Sequence, residues 1–340
     1  MLVTICVPVY GVEKYIERCA KSLFEQTYNE IEYLFINDCT NDKSIDLLLS
    51  VLKQYPQRQS AVHIINHAIN KGLAAARNTA VENATGEFLI HVDSDDYLMK
   101  DAVELLVRKQ RENDYDIVFG SAIRHYENYS EIVSYPLGLS SKDMLIGMLQ
   151  SEIPQYIWGK LIRRSIYTQN NISATEGINN GEDVQVIPQL VINSSHIAVI
   201  KDVVYYYDCT NMQSYSSQFD EKKDKERRKA LDNRNKALLE KDNSLEDAIN
   251  IGSIRNLVRN KMAAARIGNY SYFNELCLLQ LGIEKDYWKC VSILFHIPLY
   301  SNNIILIKYY VIIMGHIKHT TQSICEKFFK RRGSRESIEC

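Results

Sequence analysis

Apolar positions along the chain change period at short intervals. VTICVPVY (3–10) is a nearly unbroken apolar, β-branched run closed by Gly11, whereas Val12, Ile16, Ala20, Leu23 and Phe24 recur at helical spacing from Val12 to Gln26. The exchange then repeats. IEYLFIND (31–38) predicts a strand and Ser44 to Tyr55 a helix; AVHIIN (61–66) predicts a strand and Gly72 to Ala84 a helix; EFLIHVD (87–93) predicts a fourth strand. Strands and helices alternating through short links predict an α/β domain with a mostly parallel central sheet flanked by helices.

Further along, Asp101 to Glu112 reads as a helix, DIVFGSAIRHY (116–126) as a strand and Ser140 to Leu149 as a capped helix. IWGKLIRRSIYTQ (157–169) joins a short apolar piece to a basic helix. GEDVQVIPQLVINS (181–194) starts with acids and continues as an apolar helix face, and HIAVIKDVVYYYD (196–208) returns to strand character. The first domain is expected to end near Asp208, with 1–97 and 98–208 as its two halves. Composition then shifts to QFDEKKDKERRKALDNRNKALLEKD (218–242), which reads as a solvated helical face or connector because acids alternate with bases. Residues 246–268 and Tyr272 to Gly282 have helical spacing, so 209–340 is expected to be mainly helical.

Polar residues gather where the strands of the first half end, and in open α/β sheets the ligand crevice lies outside the carboxyl ends of the strands. Tyr10 and Gly11 follow the first strand, Asn37 and Asp38 the second, Asn66 to Gly72 the third, and Asp93, Asp95 and Asp96 the fourth. Any one of them is equally well explained as a turn or helix-cap residue; as a group they point to one cleft. Three aspartates within four positions repel unless a cation or hydrogen bonds compensate. Asp93 and Asp95 offer oxygen ligands to a hard divalent cation, Mg²⁺ or Mn²⁺, that also takes diphosphate oxygens. Arg77, in NKGLAAARN, suits a diphosphate or the acids themselves. About ninety positions beyond Asp93, Glu182 and Asp183 form a second acidic pair, one of which could take a proton from a bound hydroxyl. Trp158 could wall a sugar ring and Lys160 pair with an acid, or the two could be a core tryptophan with a snorkelling lysine.

Charge and composition narrow the partners. Forty Lys plus Arg face forty-two Asp plus Glu, so no basic footprint calls for nucleic acid. The eight cysteines are scattered without a C-x-x-C pair, which argues against a zinc knuckle or a dense disulfide framework and fits a reducing cytoplasm. MLVTICVPVYG lacks the basic n-region of an export signal. No glycine-rich dinucleotide fingerprint or triphosphate loop is present, which weakens a sugar nucleotidyltransferase as an alternative; a non-catalytic nucleotide-sugar binding or assembly protein is the other one. NIILIKYYVIIMG (303–315) is shorter than the roughly 20 apolar residues of a spanning helix. With the basic KFFKRRGSR (327–335) it either lies on an anionic inner leaflet or docks internally.

In order along residues 3 to 208, PVYGVEKYIERCAKSLFEQTY, IEYLFINDCTNDKS, NKGLAAARNTAVENATGEFLIHVDSDDYL, WGKLIRR and GEDV resemble family 2 inverting glycosyltransferases of the GT-A fold, especially bacterial enzymes that build surface polysaccharide. The resemblance implies a nucleotide-diphosphate sugar donor, UDP-linked hexose or N-acetylhexosamine, a divalent metal, and a saccharide or polyprenyl-linked saccharide acceptor. By the same resemblance Pro8 and Tyr10 line the nucleoside pocket, Asp38 binds the base and Arg77 lies near the base or diphosphate. Asp93 corresponds to the acid near the ribose, Asp95 to the principal metal ligand, Asp96 to an accessory one, and Asp183 to the catalytic base with Glu182 in support. Two positions depart from the family pattern: Gly11 stands where Asn is frequent, and Asn37 precedes Asp38 where two acids are frequent. The C-terminal region is one that could bind the acceptor, form a homodimer or touch a membrane.

Overall fold

A computed structural model describes residues 1–211, 220–281, 283, 287 and 296–314. Its first compact unit, Met1–Ala248, opens with β1 (Val3–Val9), α1 (Ile16–Phe24), β2 (Ile31–Asn37), α2 (Ser44–Leu52), β3 (Val62–Asn66), α3 (Leu73–Asn83) and β4 (Phe88–His91). β3, β2, β1 and β4 lie side by side and all parallel, with Val3 opposite Ile31 on one side and Phe88 on the other. Every residue of β1 is buried, which is why the strand reads as a continuous apolar run rather than an alternating one. α1 turns Ile16, Cys19, Ala20, Leu23 and Phe24 inward, one helical stripe against that sheet.

Beyond β4 the sheet changes character. β5 (Tyr97–Leu98), α4 (Ala102–Glu112), β6 (Ile117–Tyr126), β7 (Tyr129–Val133), α5 (Ser141–Leu149), β8 (Lys160–Arg163), α6 (Arg164–Gln169), α7 (Glu182–Ile192) and β9 (Ile197–Asp208) follow. Among the described residues the strand order is β3-β2-β1-β4-β8-β6-β9-β5, with β7 paired to β6. β8 runs antiparallel between β4 and β6, so the sheet is parallel in its first half and mixed overall. The four residues of β8 lie inside the piece read from sequence as an apolar lead into a helix; α6 follows the strand with no residue between them, so no break marks its end.

α8 (Glu221–Lys241) is the charge-rich segment, and it is not solvated all round: Asp224, Ala230, Arg234 and Leu238 are buried, and it packs on α7 within the first unit. Gly181, the residue before α7, sits at φ +103, and a side chain there would meet Arg227 and Ala230 of α8 at 3.2–3.3 Å, so glycine answers both the backbone and the close approach.

The second unit, Ile249–Cys340, contains most of α9 (Glu246–Ile267), α10 (Tyr270–Leu281), α11 (His296–Tyr300) and a helical stretch at 304–314. Ile254, Val258 and Leu299 centre its core. Lys261 is fully buried, donating to Gln280 Oε1 at 2.8 Å and Ser301 O at 3.2 Å. No described helix is long and apolar enough to cross a membrane. The basic stretch 327–335 lies outside the described residues.

Candidate active site

The carboxyl ends of the first four strands open into a cleft of about 520 Å³. Pro8 and Tyr10 reach it from β1, Asp38 from the end of β2, and Asp93 and Asp95 from the end of β4. Arg77 enters from α3, Trp158 from the approach to β8, and Glu182 and Asp183 from the first turn of α7. Of the candidate site residues from sequence, Asp96 and Lys160 do not line it, nor do the strand-end residues Asn37 and Asn66.

The three clustered aspartates have three different surroundings. Asp93 Oδ1 is held by Arg77 Nη2 at 2.5 Å. Asp95 is half-buried; its Oδ2 accepts from Asn211 Nδ2 at 2.9 Å, and burial, then the neighbouring Asp93, push its carboxyl up. Asp96 is fully buried, with Tyr205 Oη donating to one oxygen and the Asp208 amide to the other, both at 2.8 Å. Its carboxyl is pushed well up by burial and then by Asp95 and Asp93. Asp96 therefore braces the turn from inside, while Asp93 and Asp95 face the cleft. Arg18 ties the same turn down by donating to the Asp95 carbonyl at 2.7 Å and pairing with Asp208 at 2.8 Å.

Arg77 is the hinge of the charge arrangement. Only 5% exposed, it binds Asp93 through Nη2 and Glu182 through Nη1. Burial opposes its charge, but Asp93 and Glu182 together hold its pKa above the ordinary arginine value. Glu182 is pushed up to about 7, by burial first, with Arg77 acting in the opposite direction. The same two segments are latched twice more. Asn78 exchanges hydrogen bonds with the Ala174 backbone at 2.8 and 3.0 Å, and Asn179 Oδ1 accepts from the Ala74 amide at 3.2 Å. Gly72, at φ +88, lets the loop before α3 pass under Asn179, whose side chain would lie 2.3–2.6 Å from a Cβ.

Asp38 is buried and its carboxylate is well supplied: the Lys71 and Gly72 amides donate at 2.8 and 2.7 Å, and His67 Nδ1 lies 2.7 Å away. It fixes the loop that delivers α3. Asp183 is half-buried beside the buried Glu182, and its Oδ1 accepts from the Val184 amide at 2.7 Å. Like Asp95, it is a cleft acid with no basic side chain bound to its carboxylate, and a free carboxylate of this kind can accept a proton from a ligand.

Trp158 is 4% exposed and lies in an aromatic stack, Tyr156 at 4.4 Å on one side and Tyr205 at 4.7 Å on the other, with Tyr207 tilted at 5.6 Å. Both faces of the Trp158 ring are covered by its neighbours, and the stack forms an apolar side of the cleft. Lys160 does not meet an acid, as one sequence reading had it. Fully buried, its Nζ donates to Tyr135 Oη at 2.7 Å, Tyr156 O at 2.5 Å and Trp158 O at 3.2 Å, and burial lowers its pKa to about 7. It supports the wall from beneath.

Three groups of cleft residues escaped sequence reading. Tyr207 lines the cleft and Tyr205 lies behind it against Trp158; they alternate with Tyr206 in VVYYYD, and the strand period of two could have put them on one face. Asn179, Asn180 and Asn211 carried no signal beyond being polar, and Arg227 was one cation in a charge-rich helix.

Among the described residues no three His, Cys, Asp or Glu side chains gather as a metal-ligand group. Asp93 and Asp95 fit a hard divalent cation only if substrate oxygens complete its shell, which is the usual condition for Mg²⁺; the raised Asp95 carboxyl, next to another acid, is a group that a cation would relieve.

This architecture is that of a GT-A fold, and comparisons with known proteins agree. The glycosyl transferase family 2 model matches residues 4–169. The chain is 30% identical over 216 residues to the uncharacterised glycosyltransferase EpsJ of Bacillus subtilis, an alignment covering 61% of this chain and 60% of EpsJ. Residues 1–349 of S. aureus TarS in complex with UDP-GlcNAc superpose with a TM-score of 0.70 at 19% identity, over 92% of this chain and 90% of that one. The mannosyltransferase PcManGT of Pyrobaculum calidifontis, solved with GDP-Man and Mn²⁺, superposes with a TM-score of 0.52 at 14% identity, over 91% and 84%. Residues 4–169 thus match glycosyltransferase family 2, and the chain is similar to its members.

Proposed function

We propose that the protein transfers a hexose or N-acetylhexosamine from a nucleotide-diphosphate sugar, UDP-linked, to a hydroxyl of a saccharide or polyprenyl-linked saccharide, with inversion. The observation that carries this reading is one cleft lined by acids from two different elements, Asp93 and Asp95 after β4 and Asp183 on α7, beside the Trp158 wall. The TarS complex with UDP-GlcNAc supports the choice of a UDP sugar.

In this reading Pro8, Tyr10 and the loop fixed by Asp38 receive the nucleoside, and Asp93 the ribose. Asp95, with Asp93 near it, would hold Mn²⁺ or Mg²⁺ against the diphosphate, where the cation supplies charge neutralisation for the leaving group. Asp183 takes the proton of the acceptor hydroxyl as its oxygen forms a bond to the anomeric carbon. The bond from that carbon to the diphosphate oxygen breaks on the opposite face, and the diphosphate leaves with the electron pair. Glu182, bound to Arg77, keeps the first turn of α7 in register with the donor end.

The acceptor lies at the cytoplasmic face of a membrane in this proposal. Ile305, Leu306, Tyr309 and Ile313 on the 304–314 helix are all more than half exposed, and such a face suits peripheral contact with lipid. A screen of UDP, GDP and dTDP sugars with Mn²⁺ and Mg²⁺, read by released nucleotide and followed by saccharide and polyprenyl-linked acceptors, tests the function; a chain that neither binds nor turns over any donor would refute it.

A further inference from the structure

Two cations line the cleft among the described residues, Arg77 and Arg227. Arg77 is paired with Asp93 through Nη2 and with Glu182 through Nη1, its buried Nε having no hydrogen-bond partner among the described residues. Arg227, on α8, has no hydrogen bond or carboxylate partner among the described residues, although five acids line the same cleft. Its stem packs where a Gly181 side chain would be, with Cγ 3.2 Å from that position, two residues before Asp183. The segment it packs on is anchored to α8 as well, since Asn180 Nδ2 donates to the Lys223 carbonyl at 2.8 Å. The backbone that carries Asp183 thus also fixes Arg227, and the cation cannot be placed independently of that end of the cleft.

A half-buried guanidinium without a carboxylate is a standing site for an anion, because it can give charge-assisted, two-pronged hydrogen bonds to phosphate or carboxylate. Which anion follows from the stereochemistry of the proposed reaction, on which this inference rests. Inversion puts the attacking oxygen and the departing diphosphate on opposite faces of the sugar, so a cation anchored beside the base lies on the acceptor's side. We infer that Arg227 binds an anionic group, phosphate or carboxylate, carried by the acceptor saccharide, and so selects charged over neutral acceptors.

The test uses the full chain with Mg²⁺ and its donor site filled. UDP, GDP and dTDP are first titrated calorimetrically to find one that binds; glucose, glucose 6-phosphate and glucuronate are then titrated into that complex, for wild type, Arg227→Gln and Arg227→Lys. Wild type should bind at least one of the two anionic probes about tenfold or more tightly than glucose, and the tighter of the two identifies phosphate or carboxylate as the group read. Arg227→Gln should bring that probe down to the level of glucose while leaving nucleoside diphosphate affinity within about twofold, and Arg227→Lys should retain part of the preference. Circular dichroism reports whether each variant is folded, and the lysine variant serves if the glutamine variant is not. Equal binding of all three probes by wild type, or a preference untouched in Arg227→Gln, overturns the inference. A large loss of diphosphate affinity in Arg227→Gln overturns it too, by assigning the cation to the donor. If wild type binds none of the three diphosphates, the donor-site reading itself falls, and this inference with it.

Discussion

Arg77 on α3 and Glu182 on α7 form a buried ion pair between residues 105 positions apart, and Asp93 closes it into a triad across the cleft floor. Removing one partner of such a group leaves an uncompensated buried charge. Arg77→Met should therefore destabilise the fold by about 3–5 kcal/mol and weaken donor binding. Glu182→Gln, which keeps shape and a hydrogen-bonding oxygen, should cost less. Urea unfolding of both variants and the double variant gives the coupling; additive effects would mean that the pair does not act as a unit.

Asp183 should separate chemistry from binding. With Glu182 committed to Arg77, no other carboxylate of α7's first turn is free to take the acceptor proton. Asp183→Asn is expected to lower kcat by about 10²–10⁴-fold with donor affinity kept. Wild-type turnover in this variant would remove Asp183 from the reaction.

The metal assignment is checked by contrast between two aspartates. Asp95 faces the cleft, whereas Asp101 precedes α4, away from it, and makes no side-chain cap. Asp95→Ala should abolish most of the gain in donor affinity that Mn²⁺ or Mg²⁺ provides, and Asp101→Ala should leave it intact. Equal small effects, measured by donor titration with and without the cation, would count against Asp95.

How far these residues could be read before the fold was known depended on the range of the interaction. β1 and β2 were legible because strands buried on both faces are continuous apolar runs, and the cleft acids were legible because they follow such strands. β8 and β7 were not: KLIR runs without a break into the basic start of α6, and YSEIV is almost wholly exposed and carries no apolar face to read. The sequence reading allowed that Arg77 meets Asp93, but the Glu182 contact is set by how α3 and α7 pack and leaves no local trace. Lys160 showed the limit in another way: an acid partner was a natural reading, yet the chain supplies two carbonyls and a tyrosine hydroxyl instead.

Lys160 also gives the fold a pH dependence. Burial lowers its pKa from 10.5 to about 7, against the pull of Asp183. Between those values the unfolded chain holds a proton that the folded chain has released, so this group makes stability rise with pH from about 7 towards 10. Lys160→Met should flatten the profile, by at most about 1.4 kcal/mol per pH unit. The difference in urea midpoint between wild type and variant, followed from pH 6 to 9, measures it; a constant difference would show that Lys160 does not titrate in this window.

The exposed face of the 304–314 helix makes the membrane proposal testable without knowing the acceptor. Ile305, Leu306, Tyr309 and Ile313 recur at spacings of one, three and four, which puts them on one side of the helix, with Lys308 also exposed. Apolar area and a flanking cation act together at an anionic surface. The full chain should float with vesicles containing anionic lipid more than with neutral ones, and Leu306→Glu with Ile313→Glu should release it by adding like charge and removing apolar contact. Activity on a short water-soluble acceptor should survive the double variant, since the cleft lies in the other unit. Wild type that remains in the vesicle-free fraction at low salt would rule the face out as a lipid contact.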